Sequence, residues 1–258
     1  MNRIDKTFKR DKVFIAYLIA GQKGLDYSFN VALSLIESGV DLLEVGVPFS
    51  DPVADGPVIQ RAMNDALVRK VTILDALELI KRIRKYTDIP LVLFSYLNPI
   101  LQFGYNRVFK LAKDSGVDGT LIVDLPVEES IAYVLKCKKY KIAPIFVVAP
   151  STTSGRIRQI DKHAQGFLYY ACRKGTTGMK KDLPADFAKN VRLIKRNSKL
   201  PVVVGFGVSS RRVAKKIINI ADGFVVGSLF VDKISQGVGS RELKKITLAI
   251  EPRRKRKV

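Results

Sequence analysis

Histidine and cysteine are nearly absent from this 258-residue chain, which has one His, His163, and two Cys, Cys137 and Cys172. Two thiols so far apart support neither a disulfide framework nor a zinc site, and they fit a reducing cytosol. One imidazole excludes catalysis by a histidine-ligated metal. It also excludes a Ser-His-Asp mechanism unless His163 itself lies in the site. No apolar run reaches the roughly 18 residues that a membrane span needs. The first residues, MNRIDKTFKRDK, are polar where a secretory signal needs an apolar centre, so the expected location is the cytoplasm. No Gly-, Ser- or Pro-rich tract divides the chain, and a single domain over 1–258 is expected.

Acidic residues are also few: 24 Asp and Glu stand against 45 Lys and Arg, a net charge of +21. The basic residues form short runs at 136–141, 211–216 and 253–257. The last run holds only five of the 45, so the excess is spread over the chain. Spread charge reads as a solvated face, and nucleic acid is not the expected partner. The tail at 251–258 is expected to be peripheral.

Apolar segments instead recur at regular intervals. Strands are expected at 13–21, 41–47, 91–96, 119–125, 143–148, 166–171, 201–205 and 223–227. Amphipathic helices are expected between them, at 27–38, 58–69, 73–86, 105–115, 155–163, 184–197, 210–220 and 241–250, with another opening at Glu128-Glu129-Ser130. Continuous apolar strands belong to a parallel sheet covered on its outer side. Eight such β-α units in about 250 residues predict an α/β fold, a single (β/α)8 TIM barrel. A doubly wound open sheet is the competitor, but no G-x-G-x-x-G follows the first strand.

In a barrel of this kind the site lies where strands end and βα loops begin. The stretch LLEVGVPFSDPVADGPVIQ, from Leu42 to Gln60, puts three carboxylates there. Glu44 sits inside an apolar strand, an expensive place for a charge unless it is partnered or functional. Its alternative is a strand-end residue whose head reaches water. Asp51 and Asp55 follow in a loop held by three prolines; each alone could be a turn or cap residue. Strand three carries Tyr96, strand four delivers Asp124, and strand six presents Tyr169. Gly205-Phe206-Gly207 and Gly227-Ser228 close strands seven and eight, the usual phosphate site of the fold, with Gly178 from loop six.

The run Glu44-Val45-Gly46-Val47-Pro48-Phe49-Ser50-Asp51-Pro52-Val53-Ala54-Asp55-Gly56-Pro57 resembles the signature of the tryptophan synthase alpha subunits. Tyr96-Leu97-Asn98-Pro99, Asp124-Leu125-Pro126, Gly175-Thr176-Thr177-Gly178 and Gly205-Phe206-Gly207-Val208-Ser209 follow in family order. The resemblance implies retro-aldol cleavage of indole-3-glycerol phosphate to indole and glyceraldehyde 3-phosphate. By position it implies that Glu44 is the general acid/base and that Asp55 stabilises the indole cation, with Tyr169 beside the acid. Tyr17, Tyr96, Leu121 and Val123 would line the indole pocket, and Thr177 would meet Asp55 when loops two and six close. Gly178, Phe206, Gly207, Gly227 and Ser228 would hold the phosphate. No metal and no cofactor are implied for this subunit; pyridoxal phosphate belongs to the beta subunit. Pro48 and Asp51 would face that partner, in an assembly of two alpha and two beta chains.

Two departures from the family pattern stand out. Loop one reads Ile19-Ala20-Gly21-Gln22-Lys23 where relatives usually have Thr-Ala-Gly-Asp-Pro, and loop six has Cys172 and Thr176 where Ser and Val are usual. They motivate a second reading, a catalytically weak subunit acting mainly as an activator of the beta chain. A third, another phosphate-binding barrel, is opposed by Asp55-Gly56-Pro57.

Overall fold

The strands close into a ring. A computed structural model describes residues 2–172, 182–205 and 207–253. Its parallel strands β1 (Val13–Ile19), β2 (Leu42–Gly46), β3 (Leu91–Ser95), β4 (Gly119–Ile122), β5 (Ala143–Val148), β6 (Leu168–Ala171), β7 (Val202–Gly205) and β8 (Gly223–Val226) pair in chain order. Closure is the β1–β8 pairing, Val13 to Gly223 through Ala16 to Val226. Both strand faces are buried, one by the barrel interior and one by helices, which is why the strands read as unbroken apolar runs.

Twelve α-helices lie among the described residues: α1 (Arg3–Phe8), α2 (Leu25–Glu37), α3 (Pro57–Val68), α4 (Ile73–Arg84), α5 (Leu97–Phe103), α6 (Tyr105–Asp114), α7 (Ile131–Tyr140), α8 (Ser154–Asp161), α9 (Phe187–Asn197), α10 (Arg211–Ile218), α11 (Ser228–Ser235) and α12 (Ser240–Ile250). Sequence reading did not resolve α1, α5 and α11, which have six to eight residues each. In α5, Pro99 stands in the first turn, where its missing N–H costs no helical bond. The helix expected to open at Glu128-Glu129-Ser130 instead begins at Ile131, after a 3-10 turn over Val127–Glu129.

The strand starts share a device that sequence reading missed. Asp41, Asp118 and Asp222 each precede an even-numbered strand and accept an N–H from the neighbouring odd strand. Phe14 N donates to Asp41 at 2.7 Å, Leu91 N to Asp118 at 3.0 Å and Val202 N to Asp222 at 3.0 Å. Each carboxylate also meets cations: Arg84 at 2.6 Å from Asp118, Lys195 at 2.7 Å from Asp222, Arg253 at 2.5 Å from Asp41. These bonds set the strand register at the floor of the barrel, away from the loops that follow the strands. Ile4 of α1 is fully buried beneath them.

The tail, read from the sequence as peripheral from residue 251 on, is anchored at its start. Glu251 is buried and pairs with Arg253, which also holds Asp41. That first stretch belongs to the floor; residues 254–258 lie outside the described ones.

Candidate active site

Residues paired across parallel strands share a face. Tyr17 pairs with Glu44 and Glu44 with Val92. Two residues further up, Gly46 pairs with Phe94 and Phe94 with Leu121. These residues face the barrel interior at its upper end. Glu44 is therefore a core residue, fully buried, and its head does not reach bulk water. Neither of its carboxyl oxygens has a hydrogen-bond partner among the described residues. Burial pushes its carboxyl up to about 8, so it holds its proton at neutral pH.

The loop after β2 is latched onto β3. The Tyr96 hydroxyl donates to Asp55 Oδ2 at 2.8 Å and accepts from Ala54 N at 3.1 Å. Asp55 N donates to Pro52 O at 2.9 Å, Gln60 Nε2 to Asp55 O at 2.8 Å, and Phe49 packs on the Tyr96 ring at 5.1 Å. Burial, then the Asp55 charge, raises the Tyr96 hydroxyl far above its ordinary pKa, which keeps it a donor. Asp55 is buried; α3 starts after Gly56 with Pro57 at its first position and has no side-chain cap. Asp51 is exposed and accepts from the Ser50 hydroxyl, a turn arrangement. Pro48 is buried, whereas Val53 at the loop tip is 77% exposed, and sequence reading did not single it out.

An aromatic wall crosses the barrel. Tyr17 meets Phe94 edge-on at 5.1 Å, and Phe94 meets Tyr169 at 6.2 Å. Two glycines make the wall possible. A Cβ on Gly46 would lie 2.8 Å from Tyr17 Cζ, and one on Gly205 would collide with the Tyr169 hydroxyl. Burial raises the Tyr169 hydroxyl well above its ordinary pKa, with Glu44 the first of the nearby charges to add to it. Leu121 is buried on the same interior face, and Val123, just past β4, is half-buried.

Around β7 and β8 the chain offers backbone. Helix α10 is capped by Ser210, whose hydroxyl accepts from Val213 N at 3.4 Å. Helix α11 starts from Gly227, which has no side chain to spend on a cap, so its first-turn N–H groups can face an anion. Ser228, buried, opens the helix, and Gly207 holds a left-handed φ of 69° that suits glycine. Gly178, Phe206 and Thr177 lie outside the described residues. Asp124 is exposed and accepts from Leu97 N at 2.8 Å, and His163 follows α8 at the opposite, floor end of the barrel.

Comparison with known proteins gives this arrangement a family. The family model of the tryptophan synthase alpha chain matches residues 5–257. The tryptophan synthase alpha chain of Coxiella burnetii (strain CbuK_Q154) is 47% identical over 252 residues, covering 98% of each chain. That of Chlamydia felis is 46% identical over 257 residues, covering 98% of this chain and 100% of its own. Among solved structures, tryptophan synthase subunit alpha from Legionella pneumophila superposes with a TM-score of 0.89 at 34% identity, over 97% of both chains. A chain of Mycobacterium tuberculosis tryptophan synthase does so with 0.90 at 32%, over 96% of both.

The chain belongs to the tryptophan synthase alpha chain family.

Within that family the altered loop one gains a physical account. Gln22 is fully buried, and its Nε2 donates to Val231 O at 3.0 Å and to Ser235 Oγ at 2.6 Å, both on α11. The acid usual in relatives could not donate these bonds when ionised. Here loop one holds α11 by an amide, while Glu44 and Asp55 keep their places. Of the loop-six departures, Cys172 is buried and Thr176 lies outside the described residues.

Proposed function

We propose that the chain works as one domain over 1–258, cleaving indole-3-glycerol phosphate to indole and glyceraldehyde 3-phosphate with no metal or cofactor of its own. The lyase activity is that of its family. The observation that carries the assignment of residues is Glu44: buried, unpartnered, protonated at neutral pH, and set in one interior wall with Tyr17 and Tyr169.

A protonated Glu44 acts first as an acid. It gives its proton to the ring carbon that carries the glycerol chain, and positive charge develops on the indole nitrogen. Asp55, held by Tyr96, stabilises that charge through the ring N–H. The carbon–carbon bond then breaks, its electrons restoring the aromatic ring, while the chain hydroxyl beside the ring becomes an aldehyde. The Glu44 carboxylate takes that hydroxyl's proton and is returned to its starting state. Tyr169 flanks the acid, and Tyr17, Leu121, Val123 and Tyr96 enclose the ring. The phosphate is held at the N-terminus of α11 by Gly227 and Ser228, with Gly207, Phe206 and Gly178. Thr177 meets Asp55 when loop six covers the substrate.

The family implies a beta partner. We place its contact on the loop after β2, through exposed Asp51 and Val53, with buried Pro48 shaping the loop from inside, in a cytoplasmic assembly of two alpha and two beta chains. Pyridoxal phosphate resides in the beta chains. Purified protein releasing indole from indole-3-glycerol phosphate, faster with a beta subunit than without, supports both parts. Partner binding with no indole release in either case would sink the lyase assignment and leave the activator reading.

A further inference from the structure

The Tyr17 hydroxyl is buried, faces the barrel interior and has no hydrogen-bond partner among the described residues. A buried donor left unmade is costly, so its place in the interior calls for a reason. The ring's position supplies one. A Cβ on Gly227 would lie 3.6 Å from Tyr17 Cβ and 3.5 Å from Cδ1, so the root of the side chain stands against the residue that opens α11. The tip crosses to β2, where a Cβ on Gly46 would lie 2.8 Å from Cζ. Tyr17 therefore spans the wall from the phosphate end of the site to the strand that carries Glu44, its register partner. Phe94 and Leu121, its interior neighbours on β3 and β4, have no polar side-chain atom.

We propose that Tyr17 is a specificity-determining residue whose hydroxyl donates a hydrogen bond to a hydroxyl of the substrate's glycerol chain, between the phosphate and the ring. The inference rests on the lyase reading above. A chain that joins α11 to Glu44 must pass the Tyr17 tip, and a hydroxyl on it satisfies the orphaned donor. Burial, followed by the nearby Asp55, Tyr96 and Glu44, holds the phenol well above its ordinary pKa, so it stays a donor. A ligand with phosphate and indole but no chain hydroxyls fills both ends and leaves Tyr17 unpaired. The site thereby prefers the hydroxylated chain.

The test compares the whole protein with its Tyr17→Phe variant on three molecules. Indole-3-glycerol phosphate reports turnover; glycerol 3-phosphate has chain hydroxyls; indole-3-propanol phosphate has none. The expected result is a fall of roughly tenfold in kcat/KM and a severalfold weaker hold on glycerol 3-phosphate. Affinity for indole-3-propanol phosphate stays the same, and the ligand-free variant melts higher than the parent. Equal losses for hydroxylated and hydroxyl-free ligands, or no loss for either, overturn the proposal. Failure of the lyase reading shows separately, as absence of indole release by the unmodified protein.

Discussion

The hydroxyl of Tyr96 joins two elements: it donates to Asp55 Oδ2 at 2.8 Å and accepts the N–H of Ala54 at 3.1 Å. One oxygen thus sets both the backbone of the loop after β2 and the direction of its carboxylate. Tyr96→Phe keeps the ring and its contact with Phe49 but releases the loop. A hydrogen bond to a charged group is worth about 1.5–3 kcal/mol, so kcat/KM for indole release should fall between about 10- and 100-fold. Steady-state assays check this, and glycerol 3-phosphate should bind the variant as it binds the parent.

Glu44→Gln removes the acid and the proton it moves. Activity should drop by roughly two to four orders of magnitude, the usual worth of a placed acid/base. Stability should move the other way. Glu44 titrates near 4.5 in the unfolded chain and at about 8 when folded, so between these values the folded state holds the extra proton. The contribution of this group to stability therefore falls as pH rises from about 4.5 to 8 and levels off above. Gln has no such dependence. Melting curves at pH 5, 7 and 8.5 should show the variant gaining steadily on the parent; a gap that is constant with pH would contradict the raised pKa.

Gly46→Ala tests the aromatic wall. The new methyl would press on the Tyr17 ring tip, which has Phe94 beside it and Gly227 behind its root. Overpacking of this kind costs about 1–3 kcal/mol. Urea unfolding should report that loss, and indole release should fall further than stability alone explains, because the displaced ring stands beside Glu44.

Asp118→Ala separates floor from site. It strips Arg84 of a 2.6 Å ion pair and Leu91 N of its acceptor. Losing a hydrogen bond to a charged group costs about 1.5–3 kcal/mol, and Arg84 keeps its bonds to the carbonyls of Gly116, Thr87 and Ile89. The unfolding midpoint should drop accordingly, while kcat measured well below the melting temperature stays within about twofold of the parent, since the floor lies at the far end of the barrel.

Eight strands, their order and the barrel could be read from the chain because burial on both faces writes a continuous apolar run into each strand. Glu44 was legible for a related reason: charge inside an apolar segment is costly to place without a use. Asp55, which alone could be a turn or cap residue, was legible only through the family signature that contains it. Helices α1, α5 and α11 were not legible. Helix α11 has only eight residues and follows β8 with Gly227 as its cap, so neither periodicity nor a loop announces it.

Tertiary structure decided the rest, since it alone brings distant residues within reach. Sequence made Asp55 a carboxylate in a rigid loop; Tyr96, 41 residues on, turned it into a held one. Sequence put Glu44 in a strand; the closed ring took it out of water and raised its pKa. Likewise Gln22 is a departure from family pattern until its bonds to α11, 209 and 213 residues away, show what it holds. Local pattern specifies the elements, because periodicity and burial act within a few residues. Protonation and partnership depend on what surrounds a side chain, and only the closed barrel supplies that.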